Sequence, residues 1–291
     1  MKLNRRRLHS FLIITFIYIV AAAAGIVLFH FLSGQFWLRL LIADVVSTVI
    51  VFIFSCVFDN ASVYDPYWSV QPIVIILALA FTNELNPVRI LLIFVICLWG
   101  IRLTANWAVN FYGLGYEDWR YRLYKKRFPR VYPLLNFVGI HMVPTLIVYG
   151  CTLPAAYAFI NDTYFSTWVI VFLLLSLGGI SLEFFSDMQM RDFREDVAAG
   201  FAEGFCRRGL WKYSRHPNYL GEILMWWGIG FSVVSVMGDR WYLLAGALAN
   251  TILFLTVSIP LAEGKQKEKE GFDAYRMKTH VLLPIPATFK R

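Results

Sequence analysis

The sequence predicts an all-α integral membrane protein. We expect a bundle of seven or eight transmembrane helices, with eight the preferred number, and a cavity that faces the cytoplasm. The 291 residues are 58% hydrophobic and only 16% charged, whereas soluble domains carry about 25% charged residues. Eight runs approach the roughly 20 mainly apolar residues that a spanning helix needs. These runs lie at about 8–32, 37–58, 67–82, 88–112, 137–160, 165–187, 217–237 and 241–262.

The first run resembles a secretory signal peptide because four basic residues precede it. Signal peptides, however, have apolar regions of about 7–15 residues that end at a small-residue cleavage site. The run here continues to about Leu32 without a polar cleavage region. We therefore expect an additional, retained anchor helix within residues 1–36.

The third run is the weakest span, because it is short and contains Pro72. Without it the bundle would have seven helices. No internal repeat, low-complexity tract or linker rich in Pro, Gly and Ser divides the chain. We therefore predict one polytopic domain over residues 1–291.

The distribution of basic residues predicts the topology. The net charge is +8, and 23 of the 27 Lys and Arg residues lie before the first run, at 113–136, at 188–216 or after residue 262. With eight spans and both termini in the cytoplasm, these segments all face one side, as the positive-inside rule expects. The positive charge is therefore explained by insertion into a lipid bilayer, which would be the inner membrane in a bacterium. It does not indicate a nucleic-acid partner.

The four cysteines and five histidines are scattered along the chain, with no CxxC motif and no spacing typical of metal ligands. We therefore predict neither a structural metal nor a disulfide framework.

Several polar side chains lie inside the predicted spans, where the positive-inside rule does not explain them. A charge at the centre of a span costs about 2.5–3.5 kcal/mol on insertion scales, and such groups usually face a cavity or a partner. All of them except Asp44 and Asn250 lie towards the predicted cytoplasmic ends, which predicts a polar cavity on that side. The set is Asp44, Asp65, Arg102, Asn106, Asn110, Glu183, Asp187, Glu222 and Asn250.

The segment EFFSDMQMRDFR at 183–194 ends the sixth run. Asp187, Arg191 and Arg194 have i, i+4, i+7 spacing, so on a continued helix they share one face. Two interpretations stay open. The residues form an internal ion pair with arginines that reach the membrane interface, or the guanidinium groups bind phosphate.

The segment FCRRGLWKYSRHPNYLGEI at 205–223 places Pro217 at a first helical position, where its missing N–H costs nothing. Asn218 and Glu222 then follow at i and i+4 spacing. A helix N-terminus among basic residues attracts anions, and Glu222 is the one charged residue in its run. The alternative is a structural pair between Glu222 and an arginine.

Two further segments interleave acids, bases and aromatics. In GLGYEDWRYRLYKKRFPR at 113–130, Tyr116 begins such a stretch, although an interfacial helix has the same composition. In DNASVYDPYWS at 59–69, Tyr64 and Asp65 precede a proline, and Asp65 has no basic residue nearby.

These segments resemble the steroid 5α-reductase superfamily, in particular bacterial membrane proteins of the DUF1295 type. The resemblance covers about residues 60–290. It is carried by GLWKYSRHPNYLGEI at 209–223, EDWRY at 117–121, DMQMRDFR at 187–194 and FDAYRMKTHVLLPIP at 272–286.

The resemblance implies a fold whose cytoplasm-facing cavity binds NADPH and reduces the carbon–carbon double bond of a hydrophobic enone, such as a 3-oxo-4-ene steroid. It also implies a cofactor-binding set: Arg102, Asn110, Asp187, Arg191, Arg194, Arg208, Tyr213, Arg215, His216, Asn218 and Glu222. Two positions depart from the family. Trp99 replaces a tyrosine, and the family's catalytic glutamate has no clear counterpart, so Asp65, with Tyr64 and Tyr116 as phenol donors, is the nearest candidate for carbonyl activation.

Two other functions compete with a reductase. Isoprenylcysteine-type methyltransferases, which use S-adenosylmethionine, share the RHPNYLGE core. The arginines between the sixth and seventh runs favour a phosphate-rich cofactor instead. A transporter or lipid-binding protein is less favoured, because transporters often have internal repeats and midplane ionisable groups. No GxGxxG motif indicates a Rossmann module.

Overall fold

The computed structural model describes residues 5–284. The end of the FDAYRMKTHVLLPIP segment, at 285–286, lies outside this range. Within it the chain is helical, and β-type backbone pairing is limited to an isolated bridge between Ser214 and His280. Eight helical segments of this range are long and apolar enough to cross a membrane. The chain is therefore a multi-pass integral membrane protein, and the predicted fold class is confirmed.

Two compact units, Met1–Asp162 and Thr163–Arg291, make up the chain. The first unit contains seven α-helices and a π-helical stretch at Leu135–Met142. Its helices are α1 (Arg5–Phe31), α2 (Phe36–Val57), α3 (Tyr67–Thr82), α4 (Pro87–Asn110), α5 (Trp119–Arg127), α6 (Tyr132–Leu134) and α7 (Val143–Ile160).

Within the first unit, α1 packs on α2, and α3 packs on both α4 and α7. The core at one end of these helices is rich in aromatic side chains, including Tyr18, Tyr64, Tyr67 and Tyr121. The third span begins with a short 3-10 turn, Ala61–Val63, before α3. With this turn the span covers Ala61–Thr82, which explains how a run that looks short in the sequence reaches a spanning length.

The second unit is built on α8 (Thr167–Ala198) and α9 (Pro217–Met237). The helices α10 (Ala245–Leu253), α11 (Ile259–Gln266) and α12 (Phe272–Lys278) follow, with a π-helical stretch at Phe254–Ser258 between α10 and α11. The start of α9 at Pro217 confirms the predicted helix start.

Small residues bring α8 and α9 together in an antiparallel pair. A Cβ atom at Gly221 would lie 2.5 Å from the Gly179 carbonyl oxygen, so neither position has room for a side chain. The Ser176 hydroxyl donates to the Met225 carbonyl oxygen at 2.9 Å. Close backbone approach at small residues is typical of helix pairs in membranes.

At 1.5 Å per residue, the 32 residues of α8 extend about 48 Å. The hydrocarbon core is about 30 Å thick. The C-terminal turns of α8, residues 187–198, therefore project beyond the apolar run. The helix continues through Asp187, Arg191 and Arg194, as the predicted common face requires.

Candidate functional site

The connection between α8 and α9 folds back along the projecting turns of α8. We call residues 205–216 the basic segment. The indole N–H of Trp211 donates to the Ser186 carbonyl oxygen at 3.1 Å, and the backbone N–H of Leu210 donates to the Gln189 side chain at 2.8 Å. These bonds hold the basic segment beside the end of α8, where the predicted phosphate-binding arginines lie.

The basic side chains at this end of the second unit divide into two groups. Arg208 pairs with Asp196 at 2.6 Å, and Arg215 pairs with Glu263 at 2.6 Å. Within residues 5–284, four others form no ion pair and are not neutralised by a carboxylate: Arg191, Arg194, Arg207 and Lys212. Such unneutralised cations can bind an anionic ligand, whereas Arg208 and Arg215 are already occupied.

Arg215 links three parts of the second unit. Its guanidinium group donates to Glu263 of α11, to the Arg276 carbonyl oxygen at 2.9 Å and to the Thr279 carbonyl oxygen. The backbone N–H of Arg215 donates to the His280 carbonyl oxygen at 3.0 Å. In the described structure Arg215 therefore has a structural role.

His216 is buried at the N-cap of α9 and stacks on Tyr219, with ring centroids 5.1 Å apart. Its Nε2 atom lies 3.3 Å from Glu263. Burial lowers the pKa of His216, and the neighbouring carboxylate only partly opposes this effect. The ring therefore favours its neutral form, which has one N–H donor and one acceptor nitrogen.

The first turns of α9 carry the two polar residues that topology does not explain. Glu222 is 4% exposed, and its Oε1 atom accepts a hydrogen bond from the Trp226 indole at 2.7 Å. The Oδ1 atom of Asn218 is buried and accepts no hydrogen bond from any described residue. Since buried amide oxygens are nearly always paired, Asn218 is a candidate to receive a ligand N–H.

Glu183 was in the predicted polar set but was not assigned to the site. It is 3% exposed, and its Cγ atom lies 2.6 Å from where a Gly221 Cβ would stand. Glu183 is thus a second buried acid at the α8–α9 crossing, packed against Gly221, the residue that precedes Glu222. Its charge inside an apolar run was the signal that could have identified it.

Tyr213 and the first-unit candidates occupy varied positions. Tyr213 is exposed. Arg102 is half-buried, and Asn110 is exposed and donates to the Asn106 carbonyl oxygen at 2.8 Å. Arg102 and Asn110 both belong to the first unit.

Asp65 accepts a hydrogen bond from the Tyr121 phenol at 2.6 Å. Burial, with the Asp65 charge second, raises the pKa of Tyr121 well above its usual range, so this phenol stays protonated and keeps donating. The Tyr64 phenol instead pairs with the Thr145 hydroxyl at 2.8 Å. The exposed Tyr116 ring contacts Tyr112. The structure thus pairs Asp65 with Tyr121, a partner that the sequence did not assign.

The acids of the EDWRY segment hold the loop at 59–62. Glu117 accepts a hydrogen bond from the Ala61 backbone N–H at 2.9 Å and pairs with Lys125 at 3.1 Å. Burial lowers the pKa of Lys125, but bonds to Asp59 and Glu117 outweigh it and raise the pKa. These residues are used for structure, as the interfacial-helix interpretation predicts.

A family model described as "Protein of unknown function (DUF1295)" matches residues 51–279. The chain belongs to the DUF1295 family. An uncharacterized protein of Schizosaccharomyces pombe is 28% identical over 222 residues, which cover 68% of this chain and 64% of the yeast protein. The match thus spans less than two thirds of that relative. No solved structure matches the chain.

The DUF1295 match contains every predicted site residue and begins within α2. In the second unit, the end of α8, the basic segment and the start of α9 carry three kinds of polar group. These are unneutralised cations, an unpaired amide oxygen and two buried acids. Guanidinium groups suit phosphate oxygens, and a buried amide can orient a polar ring substituent. This arrangement can bind an anionic cofactor that has a polar, uncharged end. Within residues 5–284, no group of three metal-ligating side chains is found.

Proposed function

We propose that the chain is an NADPH-dependent membrane reductase that saturates the carbon–carbon double bond of a hydrophobic enone. The observation that carries this proposal is the group of unneutralised cations beside the start of α9. Arg191, Arg194 and Arg207 have no carboxylate partner in the described part of the chain. NADPH carries a pyrophosphate and a 2′-phosphate, and S-adenosylmethionine carries no phosphate.

Family membership supports the same class of reaction. DUF1295 is associated with the steroid 5α-reductase-like superfamily. A 3-oxo-4-ene steroid is one candidate substrate within the wider class of hydrophobic enones.

In the proposed site, guanidinium groups of α8 and the basic segment bind the phosphates. Asn218 accepts from the carboxamide of the nicotinamide, and Glu222 lies one turn further along α9. The bound cofactor supplies the hydride, while the protein supplies position and electrostatics.

A hydrogen-bond donor at the substrate carbonyl stabilises the negative charge that develops there. Asp65 is the proposed acid, and Tyr64 and Tyr116 are the phenol donors that the sequence predicts. The contacts of the first unit favour Asp65 together with Tyr121, because their 2.6 Å bond couples a half-buried acid to a protonated phenol.

Cofactor binding is tested by the thermal unfolding of the purified protein with NADPH, NADH or S-adenosylmethionine. A ligand at 100 times its Kd stabilises the native state by about 2.7 kcal/mol. We expect the largest increase in Tm with NADPH and a smaller one with NADH, which lacks the 2′-phosphate. An increase with S-adenosylmethionine alone would instead establish the methyltransferase alternative.

Variants locate the site. We expect Arg194→Ala and Asn218→Ala to weaken NADPH binding without lowering the Tm of the ligand-free protein. Arg127→Ala is the matched control, since Arg127 is an exposed arginine of α5 outside the proposed site. Unchanged NADPH affinity in both site variants contradicts the proposed location.

A further inference from the structure

A partly open cavity lies between α1, α2 and α3 of the first unit. Its lining extends from Tyr18 to His30 along α1 and from Tyr67 to Thr82 along α3. At 1.5 Å per residue, the α3 side is about 22 Å long. Because its lining follows two helices over this length, the cavity suits an elongated ligand rather than a compact one.

Most of the cavity wall is apolar. No Lys or Arg is among its lining residues. The ligand is therefore largely hydrophobic, and an anionic headgroup would find no cation here. The apolar lining includes Ala22, Gly25, Ile26, Phe29, Val74, Ile75, Ala78 and Leu79.

Two polar side chains of the lining, Asp44 and Gln71, are buried without hydrogen-bond partners. They are 5% and 6% exposed. Within residues 5–284, neither carboxylate oxygen of Asp44 and neither polar atom of the Gln71 amide forms a hydrogen bond. The Gln71 amide and the Tyr67 phenol are the polar groups nearest to the Asp44 carboxyl group, but neither reaches hydrogen-bond distance and angle with it. Asp44 and Gln71 therefore face the same part of the cavity.

Two other polar groups of the lining form hydrogen bonds within the protein. The Tyr18 phenol donates to the Val63 carbonyl oxygen at 2.6 Å, and the Ser47 hydroxyl donates to the Ala21 carbonyl oxygen at 2.8 Å. Leaving a polar group unpaired in an apolar environment costs several kcal/mol, and intramembrane acids usually have a partner. Asp44 and Gln71 therefore require a partner that the helices themselves do not supply.

We propose that this cavity binds an elongated hydrophobic alcohol, whose hydroxyl group is held by Asp44 and Gln71. A hydroxyl group donates one hydrogen bond and accepts others. It can donate to the carboxylate of Asp44 and accept from the Gln71 amide, so a single group satisfies both side chains. A hydrocarbon would leave both unpaired, and the cavity offers no Lys or Arg to a carboxylate or phosphate headgroup. This site does not depend on the proposed reductase activity.

The test uses the full chain in lipid nanodiscs and measures the Tm with added hexadecanol, its methyl ether or hexadecane. A parallel arm uses cholestanol and its methyl ether, which distinguishes a linear alcohol from a sterol. We expect an alcohol to raise the Tm and the matching ether, which cannot donate, to bind at least about tenfold more weakly. Equal stabilisation by alcohol, ether and alkane in both arms overturns the proposal.

Two variants assign the effect to the named residues. Asp44→Leu removes an unpaired buried carboxyl group, so we expect it to fold and to lose the preference for alcohol over ether. Thr48→Val is the matched control on α2, because buried Thr48 does not line the cavity, and it keeps the preference. A preference retained in Asp44→Leu contradicts the proposal.

If Asp44→Leu does not fold, Gln71→Leu provides the same comparison, and a retained preference there is equally contrary. NADPH titrations of the same samples separate the two proposals. An absent alcohol preference together with a normal NADPH response would overturn the cavity proposal alone. An absent NADPH response together with a normal alcohol preference would overturn the reductase proposal alone.

Discussion

At the level of single residues, the distance in sequence between partners decided which roles could be predicted. Asp187, Arg191 and Arg194 share a face because of helical spacing alone, and the helix continues through them. The partner of Arg215, in contrast, is Glu263, 48 residues away. The local sequence contains no signal for that pair, so Arg215 was predicted to be available to a cofactor. Asp65 was likewise predicted without Tyr121 as its partner, because only the folded first unit brings the two residues together.

The buried ring of His216 predicts how stability depends on pH. Burial lowers its pKa below the ordinary value of 6.5. Above 6.5 the ring is neutral in both the folded and the unfolded chain. As the pH falls below 6.5, the unfolded chain takes up the proton first, so stability declines until the lower, folded pKa is passed.

We therefore expect the Tm of the ligand-free protein to rise with pH in the range just below 6.5. His216→Gln should reduce this slope, as measured by thermal unfolding at several pH values. His280→Gln is the matched control, because the His280 side chain is exposed. An identical slope in wild type and His216→Gln would contradict the assignment.

At the level of helices, the length of an apolar run predicted that a spanning helix is present. It did not predict local irregularities within that helix. The α9 helix, Pro217–Met237, coincides with the predicted run at 217–237. The π-helical stretches at Leu135–Met142 and Phe254–Ser258 were not predicted, because an added residue in a helical turn leaves no compositional signal. The 3-10 turn before α3 was missed for a similar reason, although it restores the length of the third span.

The contact between α8 and α9 predicts a sharp difference between neighbouring glycines. A Cβ at Gly221 would approach the Gly179 carbonyl oxygen to 2.5 Å and the Glu183 backbone nitrogen to 3.0 Å. Backbone atoms cannot move aside cheaply, so we expect Gly221→Ala to destabilise the protein by about 1–3 kcal/mol.

The matched control is Gly178→Ala, where a Cβ would meet nothing within 4 Å. Alanine favours helix by about 1 kcal/mol over glycine, so this variant should be neutral or stabilising. Comparison of the two unfolding midpoints checks the crossing. Equal midpoints would show that the α8–α9 contact is looser than described.

At the level of the whole molecule, composition was sufficient to predict a helical membrane protein with eight spans. The candidate site was only partly predictable. Polar residues that interrupt apolar runs marked the start of α9 correctly as unusual, since Glu222 is buried and Asn218 has an unpaired oxygen. The sequence could not show which cations are neutralised, or that Asp44 and Gln71 share a cavity, because both depend on packing between distant segments.

The eight spans and the basic segments predict that both termini are cytoplasmic. We expect a green fluorescent protein fused after residue 291 to be fluorescent in bacteria, and alkaline phosphatase fused after Glu84 to be active. Glu84 lies between α3 and α4, on the predicted opposite side. Fluorescence at the C-terminus tests the parity of the spans, because seven spans would separate the two termini.

An inactive phosphatase at Glu84 together with an active one after residue 291 would reverse the predicted orientation. Inserting the phosphatase at Gly115, in the connection between α4 and α5, provides the internal control. That fusion should be inactive when the phosphatase at Glu84 is active.

The bonds between α12 and the basic segment impose an order on biosynthesis. The Tyr275 phenol donates to the Trp211 carbonyl oxygen, and Arg215 is held by carbonyl groups of residues 276, 279 and 280. A ribosome that has just completed α9 has not yet made any of these partners. The basic segment can therefore form these bonds only after α10, α11 and α12 have been translated.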